Sequence, residues 1–191
     1  MKCKIQDPTP FSQGAPLSGH GGHLTNRILN VTMHYMRLLM DADCLIKLTK
    51  AGLKELVGTH DVIIIPEAVR KEVVEAGKDK GLADAALVEK NIQAKRVHIA
   101  KGSHSHGTGD EALIEAFGAG GYDAVATDDR KLIRILRAAD VAFVVPGIIL
   151  YSLKERGLLR REMALRGLDQ LADFISEDEY STVRLLLEEK S

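Results

Sequence analysis

A small set of carboxylates in this chain stands where a solvated surface would not put them. Asp41 directly follows the apolar run RLLM at 37–40, and Asp43 follows at same-side spacing. Glu72 lies within PEAVRKEVVEA. Advancing 100° per residue from Pro66, Val69, Val73 and Ala76 cluster at about 280–340°, and Glu67 and Glu75 fall on the polar arc. Glu72 falls at about 240°, on the margin of the apolar face. Counted from Asp110, the residues Ala112, Leu113, Ile114, Ala116 and Phe117 form an arc that encloses Asp110 itself, while Glu111 and Glu115 fill the polar gap. Counted from Asp128, the arc of Leu132, Ile133, Ile135, Leu136 and Ala139 encloses both Asp128 and Asp129. These acids read as buried; unpaired buried charge is expensive, so several need a partner, and no basic residue shares these arcs. A hard divalent cation is the economical counter-charge. Carboxylate oxygens are the ligands Mg2+ and Mn2+ take, and one or two suffice where waters and a substrate phosphate complete the shell.

Other polar residues have structural explanations. Thr108 and Glu111 read as a capping box, as do Ser176 and Glu179, which makes Glu111 and the acids at 177–179 structural. His104 and His106 lie in a Gly/Ser loop and read as polar loop residues. Cys44 reads as a small core residue. Arg156, Arg160 and Arg161 surround Gly157 and read as helix-end charges. Arg130, Lys131, Arg134 and Arg137 form the stripe opposite the apolar arc. It is a solvated face on which a phosphate backbone could rest, with Arg130, Lys131 and Arg134 the candidates for substrate contact.

The elements that must position the acids alternate. Apolar strands are expected at 37–40, 61–65, 96–99, 123–126 and 141–145, and helices at 45–57, 66–76, 82–93, 109–117, 129–138, 148–156, 161–174 and 177–188. Strands without in/out alternation, separated by helices, imply the α/β class: three layers, α/β/α, around a parallel sheet of about five strands. Crossovers should be right-handed, and ligands should bind beyond the carboxyl ends of the strands, where strand order reverses. Residues 1–35 carry three of the five prolines and the run SQGAPLSGHGGH, show no sustained period, and read as a disordered tail; Met33, Met36 and Met40 are alternative starts. The α/β domain is expected over 36–150. Residues 151–191 form a helical extension packed on it or on a partner.

Composition bounds the function. Of 191 residues, 45% are apolar and 28% charged, ordinary for a globular protein with a core. Lys+Arg is 26 and Asp+Glu is 27, for a net charge of −1, so bulk positive charge cannot hold nucleic acid and any such contact is a local patch. The 2 cysteines, Cys3 and Cys44, exclude a disulfide framework and suggest a reducing compartment, hence a cytoplasmic protein. No stretch reads as a signal peptide, and the longest apolar one, 141–151, is too short to span a bilayer.

In order and spacing, LLMDADCLIKL, IPEAVRKEVVE, GTGDEALIEA and AVATDDRKLIRIL resemble the PIN-domain ribonucleases, including VapC-like toxins. The four segments run from residue 37 to about 145. The resemblance implies catalytic Asp41, Glu72 and Asp110, with Asp129 or Asp128 as the fourth acid; the family's Thr-x-Asp before a basic residue fits Asp129. It implies that Asp41, Asp110 and Asp129 hold Mg2+ or Mn2+, with Asp43, Thr127 and Asp128 in support, Thr127 by hydrogen-bonding a carboxylate. The reaction implied is hydrolysis of RNA phosphodiesters by metal-activated water, leaving a 5′-phosphate and a 3′-hydroxyl. For a toxin of this type the further partners are an antitoxin protein, which the amphipathic terminal helix could receive, and a second copy of the chain in a homodimer. Lys131 stands where relatives often have an acid. The chain also exceeds the compact toxins by its N-terminal segment and last two helices. Two other readings remain. One is a haloacid-dehalogenase-like phosphatase built on Asp41-Ala42-Asp43, which wants Thr or Ser where this chain has Cys44-Leu45. The other is a PIN module that binds RNA or protein without catalysis.

Overall fold

The computed structural model describes residues 35–75, 83–100 and 108–189. The expected tail, apart from Tyr35, and the His104/His106 loop lie outside the described residues. Five strands form one all-parallel sheet: β1 (Arg37–Met40), β2 (Val62–Ile65), β3 (Val97–Ile99), β4 (Ala124–Ala126) and β5 (Phe143–Val144), in the order β3-β2-β1-β4-β5. Leu38, Leu39 and Met40 are buried, as are Ile63, Ile64 and Ile65, because β1 and β2 are covered on both faces; this is why neither strand alternates. With the helices the sheet makes the expected three-layer α/β/α fold.

The chain steps outward from β1 to β2 and β3, then returns to the other side of β1 as β4. Strand order therefore reverses between β1 and β4, and their carboxyl ends define the crevice where such folds bind ligands. Register holds the two ends level: Met40 pairs with Ala126, and the Asp41 amide donates to the Ala126 carbonyl at 3.1 Å.

The helices are α1 (Ala42–Lys50), α2 (Lys54–His60), α3 (Glu67–Arg70), α4 (Ala83–Gln93), α5 (Gly109–Gly118), α6 (Arg130–Ala138), α7 (Pro146–Glu155), α8 (Arg161–Leu171) and α9 (Glu177–Glu188). Two expectations are corrected. The single helix over 45–57 is two, α1 and α2. Gly52 between them has φ +69°, the Gly52 amide donates to Thr49, and the Leu53 amide donates to the Leu48 carbonyl at 2.9 Å. That is a glycine-terminated cap, which ends α1 where a residue with a Cβ would be strained. The uniform α-helix over 66–76 is α3 followed by a π-helical turn, Lys71–Glu75. The wider turn changes the phase. Val74, which a 100° advance places near the polar Glu67, is only 2% exposed.

Helices α7, α8 and α9 pack on one another, and one continuous core runs from Leu38 through Leu150 and Leu168 to Val183 and Leu187. Arg156 ends α7 with two 2.7 Å hydrogen bonds to the carboxylate of Asp61, whose Oδ1 also accepts from the Met36 amide at 2.9 Å. Both ionic side chains are nearly fully buried, so Arg156 is a structural partner that pins the starts of β1 and β2. Among the described residues no helix is long and apolar enough to cross a membrane.

Candidate active site

The two helix starts nearest the crevice are built by its own acids. Asp41 is the N-cap of α1: extended backbone takes the chain out of β1, and Oδ1 accepts from the Cys44 amide at 2.6 Å. Asp129 is the N-cap of α6, with Oδ1 accepting from the amides of Lys131 at 2.7 Å and Leu132 at 2.8 Å. Thr127, fully buried at the end of β4, joins them. Its hydroxyl donates to Oδ2 of Asp41 and accepts from the Asp129 amide at 3.1 Å. One side chain thus ties the ends of β1 and β4 together.

Opposite, Asp110 lies in the first turn of α5, which Thr108 and Glu111 cap reciprocally as expected: the Thr108 amide donates to Glu111 at 2.9 Å and the Glu111 amide to Thr108 at 3.3 Å. Glu72 comes from the π turn. The resulting pocket, of about 160 Å³, is lined by Asp41, Ala42, Asp43, Val69, Glu72, Gly109, Asp110, Leu113 and Asp129. Five carboxylates share that wall, and among the described residues no Lys, Arg or His belongs to it.

The inference that several of these acids are buried is corrected. Asp41 is 6% exposed, but Asp43, Glu72, Asp110 and Asp129 are exposed at the rim. Asp43, Asp110 and Asp129 stand at helix starts, and Glu72 on the short turn after β2, all beyond the carboxyl edge of the sheet. The apolar arc continues beneath the acids while they face an open pocket.

Electrostatics follow from this placement. Burial pushes Asp41 up to about 7, against the lowering effect of its bonds from Thr127 and Cys44 and with the help of Asp128 and Asp43. Glu72 is raised by burial and then by Asp43 and Asp110. Asp110 is raised by burial, Asp129 and Glu111, and Lys131 opposes the shift. The acids therefore bear on one another through space.

Asp128, the neighbour of Asp129, does not line this pocket. It makes an ion pair with Lys47 of α1 and faces the opposite side of the turn. Burial alone would lower Lys47, but the bond and charge of Asp128 raise it on balance. Of the two alternatives for a fourth acid, the pocket contains Asp129. Lys131 reaches Asp110 electrostatically, and Arg130, Lys131 and Arg134 lie exposed along α6. Cys44 is fully buried, as expected of a core residue.

Sequence reasoning overlooked Lys47 and Gly109. A Cβ on Gly109 would stand 2.9 Å from Oε2 of Glu72 and 3.5 Å from Val69. The glycine directly before Asp110 is thus the space that the Glu72 carboxylate occupies. We expect Gly109→Ala to leave the melting temperature nearly unchanged, because the displaced atom ends a flexible side chain and alanine favours the helix. It should disturb the placement of Glu72 and cut any activity of the site about 10–100-fold, as loss of an outer-shell partner does. Parallel melting curves and rate measurements check this.

The donor set tests the fit of a divalent ion. It is all oxygen, no basic side chain shares the pocket wall among the described residues, and Asp41 is its buried member. Among the described residues no three His, Cys, Asp or Glu side chains converge closely enough to enclose an ion by themselves. The set fits a hard ion that takes one or two carboxylates directly and leaves its other positions to water and substrate oxygens.

A protein-family model described as PIN domain matches residues 37–189. No curated protein and no solved structure matches the chain.

Proposed function

Because the chain belongs to the PIN-domain family, we propose that it is a metal-dependent ribonuclease that hydrolyses RNA phosphodiester bonds in the acid pocket. The observation that carries this reading is the pocket itself: Asp41, Asp43, Glu72, Asp110 and Asp129 line one wall, with no basic residue beside them among the described residues, at the reversal of strand order. A bound Mg2+ or Mn2+ would supply an activated water at neutral pH and stabilise charge on the departing oxygen.

The chain's own residues would do the rest. Asp41 and Asp110 would hold the ion, and Asp129 would add the oxygen that its capping bonds leave unused. Glu72, seated over Gly109, orients water toward the scissile phosphorus. Thr127 keeps Asp41 in place, and Asp43 adds charge at the rim. Arg130, Lys131 and Arg134 offer the local basic patch for phosphates that a chain of net charge −1 requires.

The test is to strip the full chain of metal with a chelator and then supply Mn2+ or Mg2+ with single-stranded RNA. Expected are cleavage only with the ion and products bearing 5′-phosphates. Equal cleavage with chelator present, or none with either ion, would overturn the proposal.

A further inference from the structure

A second cavity, of about 460 Å³, opens on the far side of the turn that carries Asp129. Asp129 lines the acid pocket, whereas its two chain neighbours, Asp128 and Arg130, line this groove, so the two cavities share one short stretch of backbone. We propose that the groove is a nucleobase subsite that takes a guanine of the RNA strand, with the Glu179 carboxylate reading its Watson–Crick edge. This rests on the ribonuclease reading above.

The walls suit a flat base. Ile133 of α6, Val145 and Ile148 at the start of α7, and Val183 of α9 supply apolar surface, and Arg130 at the end next to the acid pocket offers a planar guanidinium for stacking or for a phosphate. The volume lies within the range of small-molecule sites.

The polar group is Glu179. The expected capping box around it forms only halfway: the Glu179 amide donates to Ser176 at 3.2 Å, but its carboxylate turns away and accepts from the Gly147 amide at 2.8 Å. The first turn of α7 presents that amide without an intrahelical partner, and it captures the carboxylate. Gly147 leaves the necessary room, since a Cβ there would lie 3.0 Å from Val183 and 3.2 Å from Oε1 of Glu179. One oxygen is therefore anchored. Among the described residues no donor reaches the other. The spare oxygen and the second lone pair of the anchored one can accept two parallel N–H bonds, one each, and guanine alone among the four bases presents N1–H and N2–H side by side. Adenine and cytosine present one N–H beside an acceptor, and uracil presents one between two carbonyls.

The same residues argue against a basic peptide as the occupant. The charge of Asp128 is already met by Lys47. Burial, followed by the charge of Asp128, pushes Glu179 up to about 7 despite the Gly147 bond, and the two exposed charged side chains of the lining, Asp178 and Arg130, are of opposite sign, so the groove carries little net charge to select a cation. Ionising Glu179 to meet two N–H donors costs little there.

The experiment compares wild type, Glu179→Gln and Thr182→Trp on single-stranded RNAs that differ by one base at each position around the cut, and follows binding of guanosine 5′-monophosphate to the full chain by NMR. Glutamine keeps the acceptor for Gly147 but replaces an acceptor toward the base with a donor; tryptophan at the exposed Thr182 fills the groove. We expect wild type to favour guanine at one position near the cut by roughly tenfold to a hundredfold. Glu179→Gln should erase that preference by slowing the guanine substrate to the level of the others, and both variants should lose the nucleotide shifts. A cut without base preference, a preference untouched by Glu179→Gln, or a groove filled by a Lys/Arg-rich peptide and not by the nucleotide would overturn the proposal. If no RNA is cut, nucleotide binding that Glu179→Gln abolishes upholds the subsite while the ribonuclease reading falls; absence of that binding removes both.

Discussion

Replacing Asp41 with Asn will lower ion-dependent RNA cleavage by more than about 100-fold and will raise the melting temperature of the metal-free protein. The two effects have one cause. Asn keeps the size of the side chain and an acceptor for the Cys44 amide, and the Thr127 hydroxyl can rotate to suit it. The cap therefore survives. What is lost is the negative charge at the floor of the pocket, and a group that meets the ion should cost more than the 10–100-fold typical of outer-shell partners. The same charge destabilises the empty fold. The carboxyl is 6% exposed and titrates at about 7 in the folded chain, against an ordinary value of 3.8. Above pH 7 its ionisation costs the folded state up to about 4 kcal/mol relative to the unfolded chain. The Asn variant does not carry this cost. Rates and melting curves at pH 8 check both halves; a variant that is inactive and also less stable would mean that Asp41 serves the fold rather than the site.

The second large effect is a loss of stability with rising pH that metal offsets. For a carboxyl whose folded value is raised, the folded state holds more protons than the unfolded one between the two values, so stability is greatest at low pH and falls as pH rises. For Asp41 the window runs from about 4 to about 7, and Glu179, also raised to about 7, acts in the same direction. Glu72 and Asp110 add to the trend, discounted for their exposure. Metal-free protein should therefore melt at a lower temperature at pH 8 than at pH 5. Mn2+ should offset part of this at pH 8, where it does not compete with protons, by about 2.7 kcal/mol at a hundredfold excess over its dissociation constant. The gain should shrink toward pH 5 and vanish in Asp41→Asn. Scanning melts with Mn2+ and with chelator decide it. A metal-free protein whose melting temperature rises from pH 5 to pH 8 would contradict the assigned cause.

How much of this the chain discloses depends on which interactions are local. The strands were legible because runs such as VIII and AVA are short, wholly apolar, as a strand covered on both faces must be, and bounded by polar residues or proline. Asp41 was legible because it follows such a run directly, and Asp129 because it stands three residues after one, where a helical pattern starts. Other features depend on tertiary neighbours. The 100° phase count singled out Glu72 and Asp110 but took the edge of an apolar face for burial, since phase says nothing about how far an element projects beyond the sheet. The π turn at 71–75 is invisible to a fixed period, and Gly52 was passed over although a glycine after a helical run is a stop signal. Lys47 and Glu179 find their partners, Asp128 and Gly147, across 81 and 32 residues of chain. No local pattern records such pairings.

The most direct test of the central claim, that acids remote in sequence converge to hold a divalent ion, is anomalous diffraction from crystals of the chain soaked in Mn2+. The account predicts a manganese peak in the pocket between Asp41 and Asp110, at coordination distance, roughly 2.1 Å, from at least one of their oxygens. A soaked crystal with no peak in that pocket, and manganese only elsewhere on the surface, would contradict it.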